Sequence, residues 1–323
     1  MIYLERKKPQ RMLFNEAVLG RLRANHPHIP IIEQDNGKSE SGYYGEKKLD
    51  SMLVQYLPDK EYTFLNDLWL PSGNSHFQID SFVITPSCLI DIETKNMKGE
   101  ITLKRDHNQM IQTYDDTKNG YEDPLLQAQF QVRQLKAFLG KHHVPPLPVE
   151  YLVMMSHPNA ILKTENYPEA KFRLCRGRQV IYRIEDLTKK YQVPLDRDLM
   201  RKLCRLFIKK NSHPSLDIEK IYKIPRSEIL TGVHCPCCRH LGMTYLRGSW
   251  HCPRCGCKSV DAHLAALRHY YLLYGPTITN QEFRRFLHIP TMEIASKMLI
   301  RMNLPHSGSR KHRVYQLSFK IFE

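Results

Sequence analysis

Asp80, Glu93 and Lys95 are the residues whose types and spacing point most directly to chemistry. They lie in a strand-turn-strand stretch, Phe77-Gln78-Ile79-Asp80 before the turn and Ile92-Glu93-Thr94-Lys95 after it. Thr85-Pro86-Ser87-Cys88 reads as the turn, because the proline ring presets φ for the first corner position. If Ile84 and Leu89 form the first cross-strand pair, Asp80 falls opposite Glu93, with Cβ atoms about 5 Å apart. The two-residue strand period keeps Lys95 on the Glu93 face. Two carboxylates this close repel unless a cation sits between them, and hard oxygen ligands select Mg²⁺ or Mn²⁺. A lysine beside them can hold an attacking water or neutralise charge on a phosphate. A metal-dependent phosphodiesterase needs such a set. Spacing alone leaves open a surface hairpin whose polar groups face solvent.

The surrounding residues extend the pattern. Gly45-Glu46 opens a helix expected over residues 46–56, ahead of the hairpin. Glu93-Thr94-Lys95-Asn96 continues to Gly99-Glu100, Gln109 and Pro124-Leu125-Leu126-Gln127. Together these residues resemble the nuclease-related domain (NERD) family, whose core is similar to the PD-(D/E)xK restriction-endonuclease superfamily. The resemblance runs from residues 9–27 through the domain to about residue 210, the later cysteine module and the C-terminal stretch. It looks close to the bacterial NERD proteins that carry a zinc ribbon and a helix-turn-helix. It implies an α/β fold, a restriction-endonuclease-like mixed sheet flanked by helices. Glu46, Asp80, Glu93 and Lys95 match the family's active-site positions, and Gln109 and Gln127 match supporting polar ones. Asp91 departs from the pattern, standing on the expected Glu93 face where an apolar residue belongs. It reads as a spare carboxylate or a solvent-facing group at a strand end.

The chain has 323 residues, enough for two or three domains, with 41% hydrophobic and 25% charged residues. Its net charge of +15 predicts salt-sensitive attraction to polyanions. Residues 231–323 hold 13 Lys/Arg against 4 Asp/Glu, a net +9, and 8 of the 16 histidines. Concentrated beside DNA-binding patterns, that excess favours nucleic acid over a merely solvated basic face. Met1 to Lys8 is followed by no apolar signal core, and no apolar run has membrane-spanning length. Six of the nine cysteines fall between 235 and 257, a cluster typical of a metal site in a reducing compartment. The expected location is therefore the bacterial cytoplasm, with no membrane partner.

Along the chain, residues 10–24 form an amphipathic helical arm and 25–44 a connector rich in Pro, Gly and Ser. A short arm of this kind needs a core to lie on. Further strands are expected at 100–105, 150–156 and 179–184, with helices at 124–139 and 195–210. Pro124 suits a first helical turn and Gly140 an end. The run 150–156 is apolar throughout, as in a central strand. Gln127, Gln131 and Gln134 share one helix face, where they either steady carboxylates, contact a substrate backbone or form a solvated stripe.

Cys235 and Cys238, then Cys252 and Cys255, supply two Cys-x2-Cys turns separated by 13 residues. Four thiolates of this spacing close a tetrahedral Zn²⁺ site, leaving no position for water, so the ion is structural. Cys237 and Cys257 are spare, and Cys257 could replace Cys255. Tyr245, Arg247 and Trp250 are candidates for nucleic-acid contact, with Trp250 alternatively packing the module. Beyond it, residues 261–274 are helical. Thr279-Asn280-Gln281-Glu282 is a capping box for a helix to Leu287, and Thr291 caps a second helix to about Met302. Ile294, Ala295, Met298, Leu299 and Met302 form its core stripe, while Lys297 and Arg301 face outward. Ser307-Gly308-Ser309 turns into a basic wing containing Arg310, Lys311 and Arg313. The order looks like a winged helix-turn-helix gripping DNA.

Four segments result: an arm and connector (1–40), a NERD nuclease-like domain (41–225), a zinc ribbon (228–258) and a winged helix-turn-helix (259–323). The expected function is Mg²⁺- or Mn²⁺-dependent hydrolysis of DNA, with structural Zn²⁺ and a possible protein partner or homo-oligomer. The alternative is a non-catalytic nucleic-acid-binding or scaffold subunit of a bacterial DNA-processing or defence assembly.

Overall fold

The structure, a computed structural model, describes residues 1–58, 60–164, 166–192, 194–309 and 312–318. In chain order come β1 (Ile2–Leu4), α1 (Gln10–Leu19), α2 (Ile29–Tyr56), β2 (Thr63–Ser72), β3 (Ser75–Ile84) and β4 (Leu89–Lys95). Next are β5 (Gly99–Lys104), β6 (Gln109–Tyr114), β7 (Thr117–Glu122), α3 (Pro124–Lys141), β8 (Val149–Met155) and β9 (Ala160–Lys163). Then follow α4 (Pro168–Arg173), β10 (Leu174–Arg176), α5 (Gln179–Lys190), α6 (Arg197–Lys210) and α7 (Ile218–Tyr222). The last part holds β11 (Thr244–Leu246), β12 (Ser249–His251), β13 (Lys258–Ser259), α8 (Ala262–Tyr274) and β14 (Thr277–Thr279). It ends with α9 (Asn280–Leu287), α10 (Met292–Arg301), β15 (His306–Ser307) and β16 (Val314–Gln316). The chain divides into two compact units, one of Met1–Pro9 and Lys38–Pro214, the other of Gln10–Gly37 and Ser215–Glu323. Among the described residues no helix is long and apolar enough to cross a membrane.

The first unit is a mixed α/β assembly. Its larger sheet has the order β1-β2-β3-β4-β8-β10. β3 runs antiparallel to both β2 and β4, whereas β8 runs parallel to β4 and to β10. Every residue of β8 is buried, as its unbroken apolar run requires of a central strand. One sheet face packs Phe82, Leu89 and Val153 against Leu125, Leu135 and Phe138 of α3 and Leu203 and Phe207 of α6. The other packs Val83, Ile90 and Leu152 against Leu49 and Leu53 of α2 and Val180 and Ile184 of α5. A second sheet, β7-β6-β5-β9, adjoins in sequence.

Two expectations about secondary structure fail. The connector expected over 25–44 is the first half of α2, a 28-residue helix. Glycine in a helix interior costs roughly 1 kcal/mol, so Gly37, Gly42 and Gly45 read locally as breaks. Gly45 is needed for packing: a Cβ there would collide with Ser156 and lie 2.6 Å from Asn96 Cβ. The strand expected over 179–184 is instead the start of α5. Its β-branched residues imitate a strand, but Val180, Ile181 and Ile184 repeat at helical spacing and are buried.

The second unit packs Phe14, Ala17 and Val18 of α1 on Ile218 and Tyr222 of α7 and Leu272 and Leu273 of α8. Its two small sheets are β11-β12-β13 and β14-β16-β15, both antiparallel. The capping box at Thr279 and Glu282 forms as expected, and Thr291 caps α10 by accepting from the Ile294 amide. Trp250 is fully buried beside Tyr245 and His263, so it packs this unit and presents nothing to a ligand.

Candidate active site and cysteine centre

The β3–β4 hairpin forms with the expected register. Its observed pairs are Ile84 with Leu89, Val83 with Ile90, Phe82 with Asp91 and Ser81 with Ile92. Ladder pairing stops there, one step short of Asp80 and Glu93. On the other side of β3, register with β2 is continuous except at Asp67 and Asp80, where no pair forms. Asp67 is in the left-handed region, at φ 54°. Asp80 thus lies at a break in both ladders, and its carbonyl accepts from Arg6 Nη2 at 2.8 Å.

Asp80, Glu93 and Lys95 line one cleft of about 570 Å³, together with Glu46, Glu122, Gln127 and Gln131. Asp80 Oδ2 accepts from the Thr94 amide at 3.1 Å. Glu93, only 3% exposed, is held on both oxygens. Its Oε1 accepts from Lys95 Nζ (2.6 Å) and Gln127 Nε2 (2.9 Å), and its Oε2 from Gln131 Nε2 (3.0 Å). Lys95 Nζ also donates to Gln127 Oε1 at 3.0 Å. The glutamine face of α3 therefore steadies Glu93; Gln134 instead reaches Ser72 Oγ.

Glu46 enters the cleft from α2, but Arg6 Nη1 holds its Oε2 at 2.5 Å. Arg6 also clasps Asp50 through Nε and Nη2 and donates to Ser81 Oγ. Among the described residues, Glu46, Asp80 and Glu93 do not form a set with all ligand atoms within 4.8 Å; only cysteines do. Gln109 is not in the cleft. It begins β6 paired with Glu122, which does line the cleft.

The electrostatics are those of unbalanced negative charge. Burial, then Glu93 and Glu46, push the Asp80 carboxyl well above its usual range, against the Thr94 amide and Lys95. Burial chiefly raises Glu46 to about 7, with Asp67, Asp50 and Glu93 adding to it and Arg6 opposing. Burial also disfavours the Lys95 ammonium, yet Glu93 and Asp80 outweigh it and raise that pKa. Asp91 is 0% exposed, and neither carboxylate oxygen has a hydrogen-bond partner. The strand-end, solvent-facing reading is therefore wrong: Asp91 is a core residue under Glu93, with its pKa raised by burial and by Glu93. A divalent cation between Asp80 and Glu93 would relieve this repulsion, so the oxygen donors fit such an ion.

Sequence reasoning misses Arg6 and Glu122 as site residues. The α3 stripe does carry a signal for Gln131; Arg6 and Glu122 reach the site through pairings distant in sequence.

In the second unit, Cys235, Cys238, Cys252 and Cys255 bring their sulfurs within 4.8 Å of one another. Cys235–Cys255 and Cys238–Cys252 are each 3.6 Å apart. A tetrahedral ion with bonds of about 2.3 Å requires sulfurs about 3.8 Å apart, so the set can bind zinc. Gly256 takes φ +71° at the second turn, a conformation glycine adopts readily. Cys237 and Cys257, expected to be spare thiols, are bonded to each other as the two turns face one another. Cys235, Cys237 and Cys257 also lie within 4.8 Å, so both sulfur sets meet at Cys235. Cys88, Cys175 and Cys204 are buried and free.

Lys297 and Arg301 are exposed one turn apart on α10, and Arg313 is half-buried. Arg310 and Lys311 lie outside the described residues. Residues 41–156 match the nuclease-related domain (NERD), which covers the hairpin and Gln127 and Gln131 of α3. No curated protein matches the chain.

Proposed function

We propose that the first unit is a divalent-metal-dependent nuclease of restriction-endonuclease-like fold and that the second docks DNA. The supporting observation is the convergence of Asp80, Glu93 and Lys95 on one cleft inside a nuclease-related domain. Asp80 and Glu93 would hold Mg²⁺ or Mn²⁺. When bound, the ion would polarise the scissile phosphate and lower the pKa of a water. Gln127 and Gln131 fix the Glu93 carboxylate, and Arg6 fixes the backbone at Asp80 and the position of Glu46. Lys95, with its pKa raised, remains a cation; it orients the nucleophile or offsets phosphate charge and does not serve as a base.

In the second unit the four-cysteine set is read as a structural zinc ribbon. α8, α9 and α10 with the β14-β16-β15 sheet are read as a winged helix, with Lys297, Arg301, Arg310, Lys311 and Arg313 on phosphates. The decisive experiment is degradation of mixed DNA substrates by wild type, Asp80→Asn and Glu93→Gln, with Mg²⁺ or with EDTA. Hydrolysis that needs Mg²⁺ and falls about a thousandfold in both variants is expected. DNA binding without hydrolysis by the wild type would leave the scaffold reading in its place.

A further inference from the structure

A second cavity in the first unit, of about 760 Å³, is chemically unlike the carboxylate cleft. Thr63 in its wall pairs with Ile84, four residues along β3 from Asp80. At about 3.3 Å per residue, it lies about 13 Å along the strand from the carboxylates. Its basic wall consists of Lys60, Arg197, Arg201 and Arg205, with no Asp or Glu among the described lining residues. The three arginines recur every four residues on α6 and so form one row, in steps of about 6 Å. Arg201 has a partner in Asp198 at 3.5 Å, but both are well exposed, and such a pair holds the side chain weakly. Lys60 follows α2, so cations converge on the cavity from two elements. The rest of the lining is Met1, Thr63, buried Cys204, half-buried Met200 and the ring of Tyr3 on edge strand β1, so it is mostly apolar.

We infer that this cavity binds a nucleoside polyphosphate. Four converging cations match the charge of a triphosphate, roughly −4 near neutral pH, and bidentate guanidinium groups suit its oxygens. Tyr3 and Met200 offer the flat apolar surface on which a base stacks. The volume lies in the range of about 300–1,000 Å³ typical of small-molecule sites. A continuous nucleic-acid strand would instead require cations along an open groove.

The test is calorimetric titration of the full chain in EDTA, which removes any divalent-ion contribution from the carboxylate cleft. ATP, GTP, inorganic tripolyphosphate, adenosine and a short single-stranded oligonucleotide are compared. The triphosphates bind and adenosine does not. Arg197→Ala with Arg201→Ala weakens ATP binding about tenfold or more. Tyr3→Ala weakens ATP but not tripolyphosphate, and Glu93→Gln binds ATP as wild type does. Circular dichroism checks the fold of each variant, and the milder Arg201→Lys, which keeps charge but loses the guanidinium fork, gives an intermediate loss. Absence of saturable ATP binding at millimolar concentration would overturn the inference, as would ATP affinity indifferent to the arginines. Oligonucleotide binding that is weakened by Arg197→Ala with Arg201→Ala while ATP fails to bind would assign the cavity to nucleic acid instead.

Discussion

Gln131 and Glu93 are joined by a 3.0 Å hydrogen bond between side chains that are both more than nine-tenths buried. With Gln127 on the other oxygen, the carboxylate has little rotational freedom before any ion arrives. Partners that orient a ligand in this way typically contribute tenfold to a hundredfold to affinity or activity. Gln127→Ala and Gln131→Ala should therefore each lower Mg²⁺-dependent turnover by about that range and raise the Mg²⁺ concentration required. Lower thermal stability with an unchanged Mg²⁺ dependence would show that the glutamines only pack.

Arg6 joins two half-buried carboxylates, a backbone carbonyl and a hydroxyl, with its own side chain 3% exposed. Arg6→Ala should cost about 3–5 kcal/mol, because it strands Asp50 and Glu46 without their partner. Arg6→Lys should recover only part of this, since an ammonium cannot reproduce the fork. Urea unfolding measures both; a loss under about 1 kcal/mol for Arg6→Ala would remove the argument.

The raised carboxyl pKa values fix the sign of a pH effect. A group whose folded pKa lies above its unfolded one contributes stability at low pH and loses it as pH rises through the folded value. For Glu46 this window runs from about 4.5 to about 7. Asp80 and Asp91 act in the same direction. In EDTA the stability contributed by these groups should thus fall across the window. Glu46→Gln should flatten the fall, and Mg²⁺ should reduce it. Denaturation curves at a series of pH values decide the point; a Glu46→Gln curve parallel to wild type would exclude Glu46 as the source.

One zinc per chain is expected by elemental analysis. Cys238→Ser or Cys252→Ser should abolish it and unfold the β11-β12-β13 region, since structural zinc contributes apparent binding energies of about 10 kcal/mol or more. Cys88→Ala and Cys175→Ala should leave zinc content unchanged. Full zinc retention in Cys252→Ser would overturn the four-cysteine site.

Lys297→Ala, Arg301→Ala and Arg313→Ala combined should weaken DNA binding across all sequences and lower the salt slope by about one for each phosphate no longer neutralised. Zinc content should not change. These substitutions are cleaner than truncation near residue 230, which would strip Leu272 and Leu273 from the apolar face of α1. Unchanged affinity and salt slope would leave protein contact as the role of this surface.

The features legible in the sequence are those that depend on near neighbours. The hairpin register follows from one proline turn and a period of two, the α9 start from a capping box, and the sulfur set from two short turns. Asp91 contradicts its local pattern, yet that pattern correctly places it on the Glu93 face. Burial of that face is what the strand period cannot reveal. Gly45 reads as a helix start because its packing partners, Asn96 and Ser156, lie far along the chain. Arg6 sits in sequence beside a separate arm, though its partners at 46, 50, 80 and 81 make it part of the first unit. Gln109 rests on resemblance alone; its β7 partner Glu122 is the one of the pair that lines the cleft.

The passage of the chain between its two units has a consequence for synthesis. It enters the second unit at Gln10, returns to the first at Lys38 and leaves for good at Ser215. On a ribosome the first unit has all its residues once Pro214 has emerged. Phe14, Ala17 and Val18 must by then have waited through that whole interval for Ile218, Tyr222, Leu272 and Leu273. The nuclease-related unit is thus expected to fold first, with α1 as an unsatisfied apolar segment. Proteolysis of chains stalled after residue 214 should cut within 10–37 while sparing the sheet; resistance there would show that α1 finds shelter earlier.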